Sequence, residues 1–208
     1  MPLQNRVDPF GELLAIPTRG LLFGNRGGRF HRDDQTLGRR RYASRQWICC
    51  VLSFKGRQRN VWGRYYTELF FLDEVTALAA GHRPCFECRR ADATAFAERF
   101  VGKGVRPSAP DMDELLHAER LDRRNNSKRT YDSKLEDLPN GAVVTLSGMD
   151  AFAVKGDALL PWRPSGYGAP LPRPRNALVG VLTPPSIVNV LRRGFTPLWH
   201  PSANLSRA

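Results

Sequence analysis

The sequence predicts an α+β protein: an N-terminal β-hairpin with short helices, followed by a small mainly-β region with a C-terminal helix. Three observations carry that expectation. QWICCVLSF at 46–54 and VWGRYYTELFF at 61–71 are rich in β-formers and flank the basic turn KGRQRN. Helical patterns with start and stop signals follow at 74–80, 91–101 and 111–121. Further on, GAVVTLSG, AFAVKGDALLPW and NALVGVL read as short strands between Gly, Asn and Asp turns.

Taken in order, residues 1–45 read as loop-rich, and GNRGGR at 24–29 is the candidate phosphate-contacting turn, because glycines let a backbone approach an anion closely. The two strands are expected to pair as an antiparallel hairpin. Asp73 suits the N-cap of a helix with Val75, Leu78 and Ala79 on one face, and Gly81 suits its end. The helix at 91–101 buries Phe96 and Phe100, 102–110 is a linker, and 111–121 is a third helix. DRRNNSKRTYDSK at 122–134 reads as polar and mobile. TPPSIVNVLRRGF starts the last helix at Ser186, after two prolines. The expected organisation is a basic region at 1–105, a helix and linker at 106–135, and a β-rich subdomain at 136–208.

The chain has 208 residues and is 41% hydrophobic and 10% aromatic, enough for a real core and unlike a disordered tail. No apolar run approaches the roughly 20 residues that span a bilayer. The N-terminus lacks a basic stretch followed by an apolar one, so a cytoplasmic protein is expected. Lys and Arg number 32 against 20 Asp and Glu, a net charge of +12 with a pI near 10.3. From Arg19 to Arg64 there are twelve basic residues and two acidic ones. Such a field recruits polyanions by releasing their counterions, and its arginines are interleaved with Gly, Asn, Tyr and Trp. DNA, single-stranded or lesion-containing, is the expected partner. The candidate contacts are Arg26, Arg29, Lys55, Arg57, Arg59, Arg64, Arg83 and Arg89, with Trp62 and Tyr65 as exposed stacking residues.

Four cysteines fall as Cys49, Cys50, Cys85 and Cys88, an adjacent pair and a C-x-x-C. Zinc takes four ligands in a tetrahedron, and thiolates from a strand and a turn at a helix end can converge on it. A thioredoxin-like role fits less well, since that motif opens a helix after a buried strand. Neighbouring strand residues point to opposite faces, so one of Cys49 and Cys50 is expected to bind. Cys50 shares its face with Ile48, Leu52 and Phe54, the apolar side expected to pack on the helices. The metal set is therefore Cys50, Cys85 and Cys88, with Cys49 as the alternative. The fourth ligand stays open among His31, His82, His117, His200 and Cys49, and the short helices are expected to surround this zinc site.

ELFFLDEVTALAAGHRPCFECRRAD resembles, over about residues 69–92, the zinc-binding domain of the Ada DNA-repair (methylphosphotriester) proteins, in its Ala-Ala-Gly…Arg-Pro-Cys-x-x-Cys order. The resemblance implies zinc on Cys85 and Cys88, contacts to DNA phosphates, and an Arg83 that touches the DNA backbone or braces the site. Where that family has an upstream Cys-x-x-x-Cys pair with a methyl-accepting cysteine, this chain has adjacent Cys49 and Cys50. Nothing in it resembles the helix-turn-helix or the guanine-methyl acceptor domain that usually follow.

Four residues are candidate catalysts. Asp113 and His117 stand at i and i+4 on one helix, a spacing that serves a general base or an ordinary exposed charge pair, with Arg120 a turn further on. Glu68 is an acid in a basic stretch that could simply pair with a local arginine but is the least explained of Glu68, Asp73 and Glu74, whereas Asp73 is accounted for by capping. Base excision needs such a carboxylate. His200, in WHPSAN, could act beside a pocket lined by WRPSGYG. The function expected is a zinc-containing DNA-binding protein in DNA repair, an enzyme of the DNA glycosylase-like hydrolase type. The alternatives are a non-catalytic DNA- or RNA-binding zinc module and, third, a zinc-dependent nuclease.

Overall fold

The computed structural model describes residues 1–58, 60–101, 104–122 and 124–204. The architecture is mixed α+β, with two sheets and four α-helices among the described residues. The first part of the chain forms β1 (Arg6–Val7), β2 (Leu13–Leu14), β3 (Leu22–Arg26), β4 (Trp47–Val51) and β5 (Leu69–Phe71). Then come α1 (Glu74–Ala79), β6 (Arg83–Pro84), α2 (Arg90–Phe100) and α3 (Ala109–Arg120). The second part forms β7 (Tyr131–Lys134), β8 (Val143–Thr145), β9 (Phe152–Lys155), β10 (Ala158–Arg163), β11 (Gly166–Tyr167), β12 (Leu171–Pro172), β13 (Leu178–Val181) and α4 (Pro185–Arg192).

The first sheet runs β2-β1-β5-β3-β4-β6, which overturns the expected hairpin. β4 and β5 are not partners: β3 lies between them, antiparallel to both, with Leu22 opposite Val51 on one side and Phe71 on the other. The central strand comes from the stretch read as loop-rich, where its glycine and arginine masked the pattern. Residues 61–68 do not extend β5. Trp62 has φ +57°, a left-handed conformation that no strand continues through. GNRGGR is the end of β3 and a packed turn. A Cβ on Gly27 (φ +79°) would lie 1.7 Å from Ser44 Oγ, so glycine serves close approach to protein here.

The second sheet runs β11-β10-β9-β8-β13-β7, with β12 also on β10. β7 corrects the reading of 122–134 as a mobile stretch, since Tyr131–Lys134 pairs with β13 in full register. Its exposed residues, Asp132 and Lys134, alternate with half-buried Tyr131 and Ser133, as an edge strand allows.

α1 packs against both sheets. Val75 and Ala79 join Val143, Ala153 and Leu182, while Ala77 and Ala80 join Leu22, Leu69 and Phe71. α2, α3 and α4 share a separate core of Phe96, Leu116, Ile187 and Val190. No helix among the described residues is long and apolar enough to cross a membrane.

Candidate metal centre in an open cavity

The pleat of β4 divides its two cysteines. Cys49 joins the core against α1, fully buried, and its sulfur accepts from Arg89 Nη1 at 3.3 Å. Cys50 faces the other way, with Phe23, Ile48 and Phe70. The expectation that Cys50 is the ligand-bearing cysteine agrees with this, but its reason is corrected: the helix-packed face is that of Cys49. β6 lies parallel to β4, pairing Pro84 with Cys49, and the Cys85 N–H donates to the Cys49 carbonyl at 3.0 Å. This register delivers the 85–88 turn to the Cys50 face. The ligand atoms of Cys50, Cys85 and Cys88 all lie within 4.8 Å of one another.

These sulfurs share hydrogen bonds. The Cys50 thiol donates to Cys85 and Cys88, which together with burial holds its own proton firmly. That bond, with the Glu87 and Cys88 N–H groups, pulls Cys85 down to about 5 against the effect of burial. Cys88 is lowered chiefly by the same thiol. Three clustered sulfurs, two of them with lowered thiol pKa values, are a soft donor set that a zinc ion fits, and the three cysteines could hold a metal ion. None of the four histidines joins the cluster among the described residues. His82 is buried against Trp47 and Phe71, and His31 stacks on Trp62 at 5.0 Å.

The cysteines form part of the wall of a cavity of about 720 Å³. Glu68 lines it too, and Arg57, Arg64, Tyr65 and Tyr66 contribute exposed side chains. Glu68 is buried, with Oε2 accepting the Trp62 N–H at 2.7 Å and its carbonyl accepting Trp62 Nε1 at 3.0 Å. Arg57 pairs with Glu87 at 2.7 Å. Tyr65 is 70% exposed, as expected of a stacking residue. The sequence reading did not include Asn25, Gln46, Tyr66 and Glu87 in this site. For Gln46, sharing a strand face with Ile48 and Cys50 was the available signal.

Several expected surface contacts are interior side chains. Arg26 lies over Trp47, 4.0 Å from the ring centroid, and donates to the Gly11 carbonyl at 2.8 Å. Trp62 is the buried anchor of the Glu68 loop. Arg83 gives both oxygens of Asp113 a hydrogen bond of 2.8 Å. Arg89 pairs with Glu74 at 2.7 Å and with Asp92 at 2.8 Å, fastening the cysteine turn to α1 and α2. Arginine can fill a buried site because its fork satisfies several acceptors at once. Arg29 pairs with Asp33, while Lys55 and Arg64 are exposed. Arg59 lies outside the described residues.

The proposed catalysts do not converge. Asp113 is taken up by Arg83, and His117 Nδ1 lies 3.1 Å from Arg120 Nη2, so the Asp–His pair expected from helix spacing is not formed by these contacts. The His200 N–H donates to Asp73 and its Nδ1 meets Ser202 Oγ at 2.8 Å, beside Trp199 and away from the cysteine cavity. Of the four, Glu68 is the one that lines the cavity.

Fold and site together define a two-sheet α+β protein with a three-cysteine, metal-competent cavity. Compared with known proteins, the chain matches no family model, no curated protein and no solved structure.

Proposed function

We propose that this chain is a zinc-containing DNA-binding protein that acts in DNA repair, taking an unpaired or damaged base into the cysteine-lined cavity and releasing it by a glycosylase-like hydrolysis. The observation that carries the reading is the presence, in one cavity of about 720 Å³, of three clustered sulfurs and the buried carboxylate of Glu68. That volume suits a flipped base with its sugar. The likeness of residues 69–92 to the Ada zinc domain supports the same partner.

Cys50, Cys85 and Cys88 would hold the ion, tying β4 to the turn before α2. Bound there, zinc would supply Lewis acidity at the cavity wall. Structural zinc sites use four protein ligands, and catalytic ones commonly use three; the cluster has three among the described residues. Tyr65 and Tyr66 offer faces on which bases stack. Arg57 and Arg64 draw phosphates to the rim. The Trp62 N–H holds Glu68 Oε2 in place, so that the carboxylate can orient water or stabilise the positive charge that develops on the sugar as the base leaves.

A zinc module that binds DNA or RNA without chemistry is the second reading. The absence of Asp113, His117 and His200 from the cavity lining favours it, because Glu68 alone of the four expected catalysts stands there.

The test is a panel of modified DNA oligonucleotides incubated with the protein, scored for base release, strand cleavage and protein alkylation, with metal content measured in parallel. We expect about one zinc per chain and base release from at least one substrate. Glu68→Gln should slow release at least about a hundredfold while zinc and DNA binding persist. Binding without release would replace the enzyme by the module, and strand cleavage alone would replace it by a nuclease.

A further inference from the structure

Alternation along β4 places Trp47 on the face opposite Cys50, and positive charge gathers around it. The guanidinium carbons of Arg26 and Arg120 both lie 4.0 Å from the Trp47 ring centroid. Arg26 and Arg120 are almost wholly buried. Half-buried Arg41 and Lys128 join them in lining a cleft of about 30 Å³, to which Glu12 contributes a carboxylate. Among the described residues no ion pair involves Arg26, Arg41, Arg120 or Lys128.

Their hydrogen bonds go to neutral acceptors. Arg26 donates to the carbonyls of Gly11 and Arg41, Arg120 to those of Gly81 and Arg45, Arg41 to that of Gly38, and Lys128 to that of Ala79. Two buried polar atoms of this cluster have no hydrogen-bond partner among the described residues: Arg120 Nε, of a side chain that lines the cleft, and Nδ1 of His82, whose Nε2 lies 3.5 Å from Arg26 Nε. Burial disfavours the charges of Arg26, Arg120 and Lys128, and they repel one another: Arg120 and Lys128 are both lowered, first by burial and then by neighbouring arginines. Glu12 in the cleft and nearby Asp8 offset part of this charge at longer range, but four cations against two carboxylates, none within ion-pair distance, leave positive charge for an anion to neutralise.

We propose that this cleft is a binding site for a phosphate group. A tetrahedral oxyanion accepts the forked donors of several arginines at once and is the ligand for which such a cluster is best suited. The cleft itself has room for about one water-sized group, so an oxyanion would seat an oxygen or two in it and rest at the rim formed by half-buried Arg41 and Lys128, where a nucleoside does not enter. Inorganic phosphate and a phosphate of a nucleic-acid strand share this chemistry. The site lies behind β4 from the cysteine cavity and uses none of its residues, so it stands or falls separately from the function proposed above.

The experiment is titration calorimetry of the full chain with inorganic phosphate, alongside thermal unfolding in phosphate and in chloride at matched ionic strength. Phosphate should bind and raise Tm while chloride does not. Arg41→Gln and Lys128→Met, both at half-buried positions, should each weaken phosphate at least about tenfold without changing the metal content. Equal Tm in the two salts with no heat of binding, or a phosphate response unchanged in both variants, overturns the proposal. Competition then identifies the source within it. Displacement only by a 5′-phosphorylated oligonucleotide assigns a strand terminus, displacement by its 5′-hydroxyl counterpart as well assigns the backbone, and displacement by neither assigns free phosphate.

Discussion

Two nitrogen–oxygen distances of 2.8 Å join Arg83 to Asp113, and both side chains are nearly sealed from water. A buried pair of this kind contributes little beyond an apolar pair of the same size, yet removing one partner strands the other's charge. Arg83→Ala or Asp113→Ala should therefore lower unfolding free energy by about 3–5 kcal/mol in urea titrations. Arg83→Met with Asp113→Leu should recover most of the loss, and failure to do so would mean that the pair itself is stabilising. Arg83 precedes the cysteine turn by two residues, so the single variants should also weaken metal binding. At this scale the pleat made it legible that Cys49 and Cys50 face opposite ways, because alternation is a property of the strand itself, whereas the pairing of β6 with β4 decided which face meets the cysteine turn. The burial of Arg26, Arg83 and Arg89 was not legible, because a guanidinium's partners lie far away along the chain.

α1 shows how much an element can declare locally. Asp73 caps it through Thr76, accepting from the backbone N–H at 2.9 Å and the hydroxyl at 2.8 Å, and Gly81 follows it at φ +85°. The predicted start and stop signals match those positions. The other oxygen of Asp73 accepts from the Tyr167 hydroxyl at 2.8 Å and from the His200 N–H at 3.0 Å, contacts no local pattern announces. The cap thus also joins α1 to the C-terminal segment. Asp73→Ala should cost about 2–4 kcal/mol, measured by chemical denaturation, and Asp73→Asn, which keeps an acceptor for the cap, distinctly less. Equal losses would mean that capping is not the main contribution. The strands were less legible than the helix: β4 and β5 were found as β-rich runs, but their common partner β3 was hidden in a Gly- and Arg-containing stretch.

Across the whole molecule, the strong positive charge divides between an exposed rim and a buried cluster. Lys128 belongs to the second: burial, then Arg120 and Arg26, push its amine down to about 7, with Asp8 acting weakly the other way. Between that value and the ordinary lysine value of about 10.4, the unfolded chain holds a proton that the folded chain has lost. This site's contribution to stability therefore rises with pH across that window. Thermal unfolding from pH 7 to 10 should show wild type gaining on Lys128→Met, and bound phosphate should flatten the gain by keeping the amine charged. Parallel curves for the two proteins would show that the amine stays protonated throughout. By itself the sequence determined the α+β class, the presence of the helices with both caps of α1, the C-x-x-C turn and the opposite orientation of Cys49 and Cys50, since these follow from neighbours within a few residues. The tertiary structure alone decided that β3 separates β4 from β5, that Glu68 shares a cavity with the cysteines, and which arginines are interior. Those outcomes depend on strands, carboxylates and carbonyls brought together from distant parts of the chain, where burial and pairing outweigh local preference.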